Sequence, residues 1–286
     1  MPNCVRAKKH KSKPRVLLCP PTYFEVRGIT NPYMKDAPPV DHAKALAQWD
    51  ALRRAFDDAG FVTHTIDPVP NLEDMVFTAN QIFVGHSPKH GKFAVPSQMR
   101  FASRRLEVPY FVEWFRARGY QIIDLDLGDE FLEGHGDLLW DADGSRIWAG
   151  YGYRSSRGGV EKFADAMRQV EIPVTPLQLV DPYFYHLDTC FSPLKPGAVM
   201  IHPGGFSPAA LATIRGAFPR IYEIDREDGL GFACNGTVAN GRFIISHLTE
   251  CVAAALKKEG LTPVVVDTSE FEKSGGSVFC MKLFFD

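Results

Sequence analysis

The 286-residue sequence lacks long apolar runs and an excess of charge of either sign. No apolar stretch approaches the roughly 18 residues that a membrane-spanning helix requires. The formal net charge of −2 gives no reason to expect nucleic acid or a membrane surface as a partner. With 45% hydrophobic and 23% charged residues, the composition predicts a globular protein that buries a large core.

Clustered cysteines and zinc motifs are also missing. The six cysteines, at positions 4, 19, 190, 234, 251 and 280, are scattered and form no CxxC pair. A chain of this size needs no disulfide framework and shows no secretion signal, so we expect reduced thiols and a cytoplasmic location. The nine histidines show neither an HExxH motif nor a zinc-knuckle spacing, so we expect no metal and no cofactor.

Basic side chains cluster near the start, at Arg6, Lys8, Lys9, Lys11, Lys13 and Arg15. No apolar segment follows them, which is typical of a mobile basic tail and not of a signal peptide. We therefore expect residues 1–14 to form a flexible tail and residues 15–286 to form a single domain without an internal linker.

A helix followed by a short strand with an acidic end recurs five times along the chain. The helices end near residues 60, 119, 170, 218 and 260, a period of roughly 40–60 residues that is typical of repeat architectures. In the fourth helix, Ser207 is the expected N-cap and Pro208 the first helical residue. Apolar residues at helical spacing predict the buried face of the first helix: Leu46, Trp49, Leu52 and Phe56.

Pairs of short strands lie between these units, and their short turns favour antiparallel hairpins over parallel crossovers. The last unit contains only SVFCMKLFF, so its missing partner is the unpaired first strand, RVLLCPP. Joining the two termini is a known way to close a radial β-architecture. We therefore predict an α/β fold of five ββαβ-type repeats, arranged as a pseudo-symmetric five-bladed propeller around a central site, in preference to an open α/β sheet.

Equivalent positions of the five units carry polar or reactive side chains. They are separated by 53, 53, 49 and 45 residues, and they are Asn80, Glu133, His186, Asn235 and Cys280. In a ring such positions converge on the axis, where each finds partners that apolar strands cannot provide. An isolated cysteine on the last strand would be a packed apolar residue. Convergence instead makes Cys280 a candidate nucleophile beside His186 and a carboxylate.

Carboxylates accompany these positions. His186 and Asp188 lie two residues apart and would share one face of a strand, while Glu133 and Asp137 flank a glycine-containing turn. A pocket with several carboxylates and a thiol suits a planar cation that forms bidentate hydrogen bonds, such as a guanidinium group. Cys190 shares the face of His186 and Asp188, so strand parity leaves it open as an alternative nucleophile.

The ordered segments DMVFTAN, FLEGHGD, WAGYGYR, FYHLDTCF and GGSVFCMKL resemble the guanidino-group-modifying (pentein) family of five-bladed α/β propellers, over residues 15 to 286. This family includes arginine deiminases, dimethylarginine dimethylaminohydrolases, amidinotransferases and arginine dihydrolases. The likeness is greatest to the arginine dihydrolase domain of cyanobacterial bifunctional enzymes. It implies a cysteine-dependent hydrolase that converts arginine or a methylated arginine to ornithine or citrulline through a covalent thiouronium intermediate.

The resemblance also implies roles for individual residues. Cys280 would be the nucleophile, His186 the general acid and base, and Glu133 the group that holds the imidazole or the guanidinium. Asp188 would bind guanidinium nitrogens and Arg154 the substrate α-carboxylate. The other candidate substrate-binding residues are Asn80, Asn31, Arg104 and Asp74.

The residue at position 80 differs between the members of the family. Deiminases and dimethylarginine hydrolases carry aspartate where this chain has Asn80, whereas the dihydrolase-like members resemble this chain. Dimethylarginine hydrolysis and amidino transfer to an amine remain alternatives. We expect a small guanidino substrate and no nucleic-acid or membrane partner, and we leave self-association open.

Other polar residues have plainer interpretations. Cys19, Cys234 and Cys251 are expected to be packed thiols, and Asn235 is expected to satisfy buried backbone groups. His135, between two glycines, is either a loop residue or a member of the site.

Overall fold

The computed structural model describes residues 13–87 and 89–286, and in this part of the chain fifteen strands form five three-stranded sheets. The strands are β1 (Arg15–Leu18), β2 (Val62–Thr65), β3 (Ile82–Ser87), β4 (Gly91–Pro96), β5 (Gln121–Ile122), β6 (Leu138–Trp140), β7 (Ile147–Tyr151), β8 (Val174–Gln178), β9 (Phe191–Lys195), β10 (Ala198–Ile201), β11 (Arg220–Glu223), β12 (Thr237–Ala239), β13 (Arg242–Ile245), β14 (Thr262–Val265) and β15 (Leu283–Phe285).

The α-helices are α1 (His42–Asp58), α2 (Ala102–Arg105), α3 (Val108–Arg116), α4 (Gly134–Asp137), α5 (Arg157–Gln169), α6 (Pro208–Ala217), α7 (Arg226–Leu230), α8 (Glu250–Lys258) and α9 (Ser269–Glu272). Short 3-10 helices span Pro32–Met34, Glu73–Val76, Leu187–Thr189, Pro203–Gly205 and Ala233–Asn235. In the described residues no helix is long and apolar enough to cross a membrane.

The sheets share one topology. Their strand orders are β15–β1–β2, β3–β4–β5, β6–β7–β8, β9–β10–β11 and β12–β13–β14. In each sheet the middle strand pairs antiparallel with the first and parallel with the third. A parallel pair needs a long crossover, which helices α1, α3, α5, α6 and α8 supply in turn. This is the predicted ββαβ repeat.

The two ends of the chain complete one blade, as the sequence predicted. Strand β1 pairs antiparallel with β15, with Leu17 opposite Leu283. Residues 1–12 of the expected basic tail lie outside the described residues. Just before β1, the Pro14 carbonyl accepts a hydrogen bond from the Val62 amide at 2.9 Å. The single-domain boundary at residue 15 stays a prediction.

The helix predictions are confirmed, except that one residue of α1, Leu46, does not lie on the predicted buried face. The Ser207 side chain caps α6 by accepting a hydrogen bond from the Ala210 amide. In α1 the buried stripe includes Ala45, Trp49 and Leu52, whereas Leu46 is 54% exposed. A buried position four residues before Trp49 falls on Ala45, so the small residue packs and the larger one faces solvent.

Apolar clusters join neighbouring blades. One cluster combines Leu17 of β1, Ile82 of β3 and Phe111 of α3 with Cys19, and similar clusters occur between the other blades. Cys234 is also buried, as expected, but Cys251 is exposed and that prediction is wrong. Its neighbour Val252 occupies the buried face of α8, which leaves Cys251 facing solvent. Because apolar packing lies between blades, the axis is left to polar side chains.

Candidate active site

Short turns, rather than strands, bring the equivalent polar residues together. Glu133 and His186 precede the first turns of α4 and of the 3-10 helix Leu187–Thr189, and Cys280 lies in a turn before β15. The prediction that Cys280 lies on a strand, and that His186 and Asp188 share a strand face, is wrong. An extended strand sends neighbouring side chains to opposite faces, whereas a tight turn can direct several of them to one region.

A small, narrow cavity lies where these turns meet. The described residues that line it are Thr30, Asn31, Asp74, Phe77, Asn80, Arg104, Arg154, Tyr185, His186, Ser274, Gly276 and Cys280. All the predicted site residues are in this set except Glu133 and Asp188, which are fully buried behind the wall. Sequence reasoning missed Phe77 and Tyr185, because an aromatic residue beside a motif gives no sign that it faces the axis.

Cys280 is held between an acid and an amide. Its Sγ lies 3.1 Å from Asp188 Oδ2, and Asn235 Nδ2 donates to Sγ at 3.2 Å. Burial raises the pKa of the thiol well above its ordinary value, and the Asp188 carboxylate raises it further. The thiol is therefore protonated in the free site and donates to Asp188. Cys190, the alternative nucleophile, packs in an apolar cluster and does not line the cavity.

Asn235 does more than the sequence predicted. Its Oδ1 accepts hydrogen bonds from the backbone amides of Ser277 and Cys280, at 3.1 and 3.3 Å, which confirms the expected contact with buried backbone. Its Nδ2 reaches the Cys280 sulfur as well. One amide side chain thus fixes both the turn and the position of the thiol.

His186 is oriented by a buried ion-pair network. Its Nε2 lies 2.8 Å from Glu133 Oε2, which also accepts a hydrogen bond from Arg154 Nη1 at 2.9 Å. Burial alone would raise the pKa of Glu133, but Arg154 and the His186 hydrogen bond outweigh it and hold this pKa well below its ordinary range. Glu133 therefore stays ionised and orients the imidazole, which lines the cavity.

Two arginines complete the polar wall. The Arg154 guanidinium lies between the rings of Phe101 and Tyr185, 4.9 and 4.7 Å from their centroids. Arg104 Nη2 pairs with Glu107 Oε2 at 3.1 Å, and its Nε lies 3.5 Å from Asp74. Glu107 is buried and was not predicted, because nothing in its local sequence distinguishes it from a surface acid. Both guanidinium groups line the cavity, where either can meet a carboxylate.

Two polar atoms around the cavity have no hydrogen-bond partner among the described residues. They are Asp188 Oδ1, an acceptor, and Asn80 Nδ2, a donor. The other side of the Asn80 amide is occupied, since its Oδ1 accepts from Arg104 Nη1 at 3.1 Å. Buried groups of this kind are normally paired, so the site is complementary to a ligand with both N–H donors and an oxygen.

Two predicted neighbours are structural. His135 Nε2 accepts a hydrogen bond from the Val84 amide at 3.1 Å, and its ring packs on Phe83 away from the cavity. Asp137 accepts from the amides of Ser155 and Leu187, at 3.0 and 3.1 Å, and burial raises its pKa to about 6. The glycine-containing turn therefore directs only one of its two carboxylates, Glu133, at His186.

Two segments meet over the cavity. Asn31 Nδ2 donates to the Ser274 carbonyl at 2.9 Å, and the Tyr185 hydroxyl donates to the Gly275 carbonyl at 2.5 Å. Gly275 has φ +84°, and a Cβ there would lie 2.7 Å from both Asn31 Oδ1 and Tyr185 Oη. Only glycine fits this close approach.

Five similar blades around a buried cysteine, histidine and glutamate define the class of guanidino-group-modifying enzymes with a pentein fold. The profile of the family described as "N,N dimethylarginine dimethylhydrolase, eukaryotic" matches residues 21–284. The chain belongs to this family of guanidino-group hydrolases.

Relatives of two kinds are found. A dimethylarginine dimethylaminohydrolase of Mycobacterium tuberculosis is 34% identical over 94% of this chain and 85% of its own length. A bifunctional arginine dihydrolase/ornithine cyclodeaminase of Nostoc is 33% identical over 95% of this chain, which spans 38% of that longer protein.

Solved structures resemble the whole fold. The N-terminal domain of the cyanobacterial arginine dihydrolase ArgZ, bound to substrate, superimposes with a TM-score of 0.89 at 30% identity, over 95% of this chain and 98% of that one. The same domain has been seen covalently attached to a reaction intermediate, with a TM-score of 0.88 and 30% identity over 95% of this chain and 97% of that one. These likenesses agree with the predicted fold and family.

Proposed function

We propose that this enzyme hydrolyses free arginine to ornithine, carbon dioxide and two molecules of ammonia, consuming two waters. The observation that carries the proposal is the pair of unsatisfied atoms around the cavity: Asp188 Oδ1 and Asn80 Nδ2. The first suits a guanidinium N–H, and the second suits the oxygen of a ureido group formed from it. The arginine dihydrolases among the relatives support the assignment.

Binding of the guanidinium activates the nucleophile. In the free site the Cys280 thiol is protonated, because burial and Asp188 both raise its pKa. A substrate cation beside Sγ favours the thiolate, and Asp188 Oδ1 gains the N–H donor that it lacks. The α-carboxylate is assigned to Arg154 or Arg104 at the polar wall, under the cover formed by Asn31.

The chemical steps follow from the placement of His186. The Cys280 sulfur attacks the guanidinium carbon, and His186 protonates the nitrogen that leaves as ammonia. The imidazolium is stabilised by Glu133, which stays ionised in its buried position. His186 then removes a proton from water, which attacks the thiouronium carbon and frees the thiol. The product at this stage is citrulline.

Asn80 is proposed to retain that product for a second hydrolysis. Its unpaired Nδ2 can donate to the ureido oxygen, whereas an aspartate in the same place would repel or fail to hold that oxygen. The Cys280 sulfur then attacks the ureido carbon and expels ammonia, which leaves an S-carbamoyl enzyme. Water cleaves the carbon–sulfur bond, and the resulting carbamate loses carbon dioxide to give ornithine. The position of Asn80 beside Arg104 keeps the amide oriented with its nitrogen free.

Hydrolysis of dimethylarginine is the second candidate, favoured by the family profile and by the M. tuberculosis relative. A dimethylated nitrogen has no N–H, so a buried acceptor that this nitrogen faces, such as Asp188 Oδ1, would stay unpaired. A site built to bind hydrogen donors discriminates strongly against a ligand that lacks them. The polar walls around Cys280 therefore favour the unmethylated substrate.

The test is product analysis by mass spectrometry after incubation with arginine and, separately, with asymmetric dimethylarginine. We expect ornithine without accumulated citrulline from arginine, and little turnover of dimethylarginine. Cys280→Ser should abolish turnover, and Asn80→Asp should convert the end product to citrulline. Citrulline as the wild-type end product would contradict the dihydrolase assignment, and faster turnover of dimethylarginine would establish the second candidate.

We also propose that residues 15–286 form the single catalytic unit. Support comes from the shared blade of β1 and β15, which ties both ends of this range together, and from a substrate cavity lined by residues from Thr30 to Cys280.

A further inference from the structure

A second cavity, of about 410 Å³, is lined by the first strands of four blades: β6, β9, β12 and β15. The cavity beside Cys280, here called the substrate cavity, is lined mainly by the turns that precede such strands. The two cavities therefore lie at different levels of the ring, and they share no lining residue. We call the second one the axial cavity and define it by His135, Trp140, Lys195, Thr237, Phe279 and Lys282.

Lys282 is the unusual member of this set. The residue is only 3% exposed, and no hydrogen bond or ion pair of its ammonium is found within residues 13–87 and 89–286. The nitrogen lies 3.2 Å from the centroid of the Phe279 ring and 4.6 Å from that of Phe284. Asp188 and Cys280 act on this ammonium only at longer range, so an anionic ligand in direct contact would stabilise it.

The rest of the wall matches one kind of ligand. No aspartate or glutamate among the described residues lines the axial cavity, whereas the buried Thr237 hydroxyl offers a further hydrogen-bond donor. Trp140 and Phe279 provide aromatic surface for an apolar body. We propose that the axial cavity is a second binding site, which takes a small organic monocarboxylate with its carboxylate on the Lys282 ammonium and its apolar body on these rings.

Lys282 is surrounded by a small number of titratable groups. Burial lowers the pKa of Lys282 to about 7, and Asp188 and Cys280 on the neighbouring turns oppose that effect. His135 also faces it and has its own pKa lowered, by burial first and by Lys282 second. Only the ammonium form attracts a carboxylate, so affinity is full below this pKa and is lost as the pH rises through it.

The probe we would use is benzoate, with benzamide as its neutral counterpart. Binding to the wild-type enzyme is measured by calorimetry with saturating ornithine present, so that the arginines of the substrate cavity are already occupied. We expect benzoate to bind with a Kd on the order of 1 mM at pH 6 and benzamide to bind at least roughly tenfold more weakly. Between pH 6 and pH 9 the benzoate affinity should fall roughly a hundredfold, as the Lys282 ammonium titrates.

Lys282→Met should remove benzoate binding, whereas the matched change Lys257→Met, at an exposed position of α8, should not. The proposal would be overturned if benzoate did not bind, or if ornithine abolished its binding. It would also be overturned if Lys282→Met still bound benzoate, or if the affinity did not change from pH 6 to pH 9. The pH series uses only wild-type protein, so it decides the question even if Lys282→Met fails to fold.

Discussion

The carboxyl group of Asp188, which we propose binds the substrate guanidinium, lowers the stability of the protein at neutral pH. It is fully buried against Cys280, with one oxygen bonded and one unpaired. Burial raises its pKa from 3.8 to about 7. The native state therefore holds a proton that the unfolded chain has already lost, and the free energy of unfolding decreases as the pH rises from about 4 to about 7.

Asp188→Asn should consequently stabilise the protein while it abolishes activity. Above pH 7 we expect the free energy of unfolding to increase by about 2–4 kcal/mol, and near pH 3.5 to change little, because both states are then protonated. Urea unfolding of wild type and variant across this pH range measures the difference.

Glu133→Gln is a control for which we expect the opposite change in the free energy of unfolding. The pKa of Glu133 is held below its ordinary range, so its ionised form contributes stability that is present above the ordinary pKa and lost in acid. We expect that variant to be destabilised at pH 7. A uniform effect of Asp188→Asn at every pH would contradict the role assigned to its charge.

Turns and loops decide access to the site. The segment around Gly275 closes over the cavity through contacts with Asn31 and Tyr185, and its positive φ leaves no room for a Cβ. We propose that this cover limits the access of water to the Cys280 thiol and completes the polar wall only when both segments are in place.

Gly275→Ala should therefore weaken substrate binding by displacing this cover. We expect KM to rise roughly tenfold, equivalent to about 1.4 kcal/mol, with a smaller change in kcat. Steady-state kinetics with arginine measures both constants.

Gly144→Ala is the matched control, because Gly144 has φ +70° but no atom within 4 Å of the added Cβ. It should cost only about 1–2 kcal/mol of stability, from backbone strain, and leave KM unchanged. Equal kinetic effects of the two substitutions would show that strain, and not the cover, is responsible.

The ring as a whole depends on the blade shared by its two ends. Leu17 of β1 is fully buried opposite Leu283 of β15, in a cluster that also holds residues of the next blade. Since every apolar cluster is shared between neighbours, loosening this blade removes support from both sides of the ring.

Leu17→Ala should lower the free energy of unfolding by about 2–5 kcal/mol, the usual cost of truncating a buried leucine. Because the blades share their cores, tryptophan fluorescence and loss of activity should follow one transition in urea. Leu106→Ala, at a side chain that is 63% exposed, should change stability by less than about 0.5 kcal/mol. Two separate transitions would contradict a single cooperative ring.

Much of this architecture is readable from the sequence. Local patterns specify helices, acid-ended strands and hairpins, and their repetition specifies five blades, because each unit buries its apolar face only against a neighbour. The spacing from Asn80 to Cys280 likewise indicates that polar residues converge, and residues of these turns do meet at one cavity.

The sequence could not give the shape of the turns that carry those residues, and strand parity gave the wrong geometry for His186 and Asp188. Nor could it show that Glu107 supports Arg104, or that Lys282 is buried without a partner. The spacing of buried residues is a local property of the sequence. The five blades and the convergence of their turns on one axis can therefore be predicted from it. Hydrogen-bond partners, pKa shifts and the axial cavity depend on contacts between residues far apart in the chain, and these are set only when the ring closes.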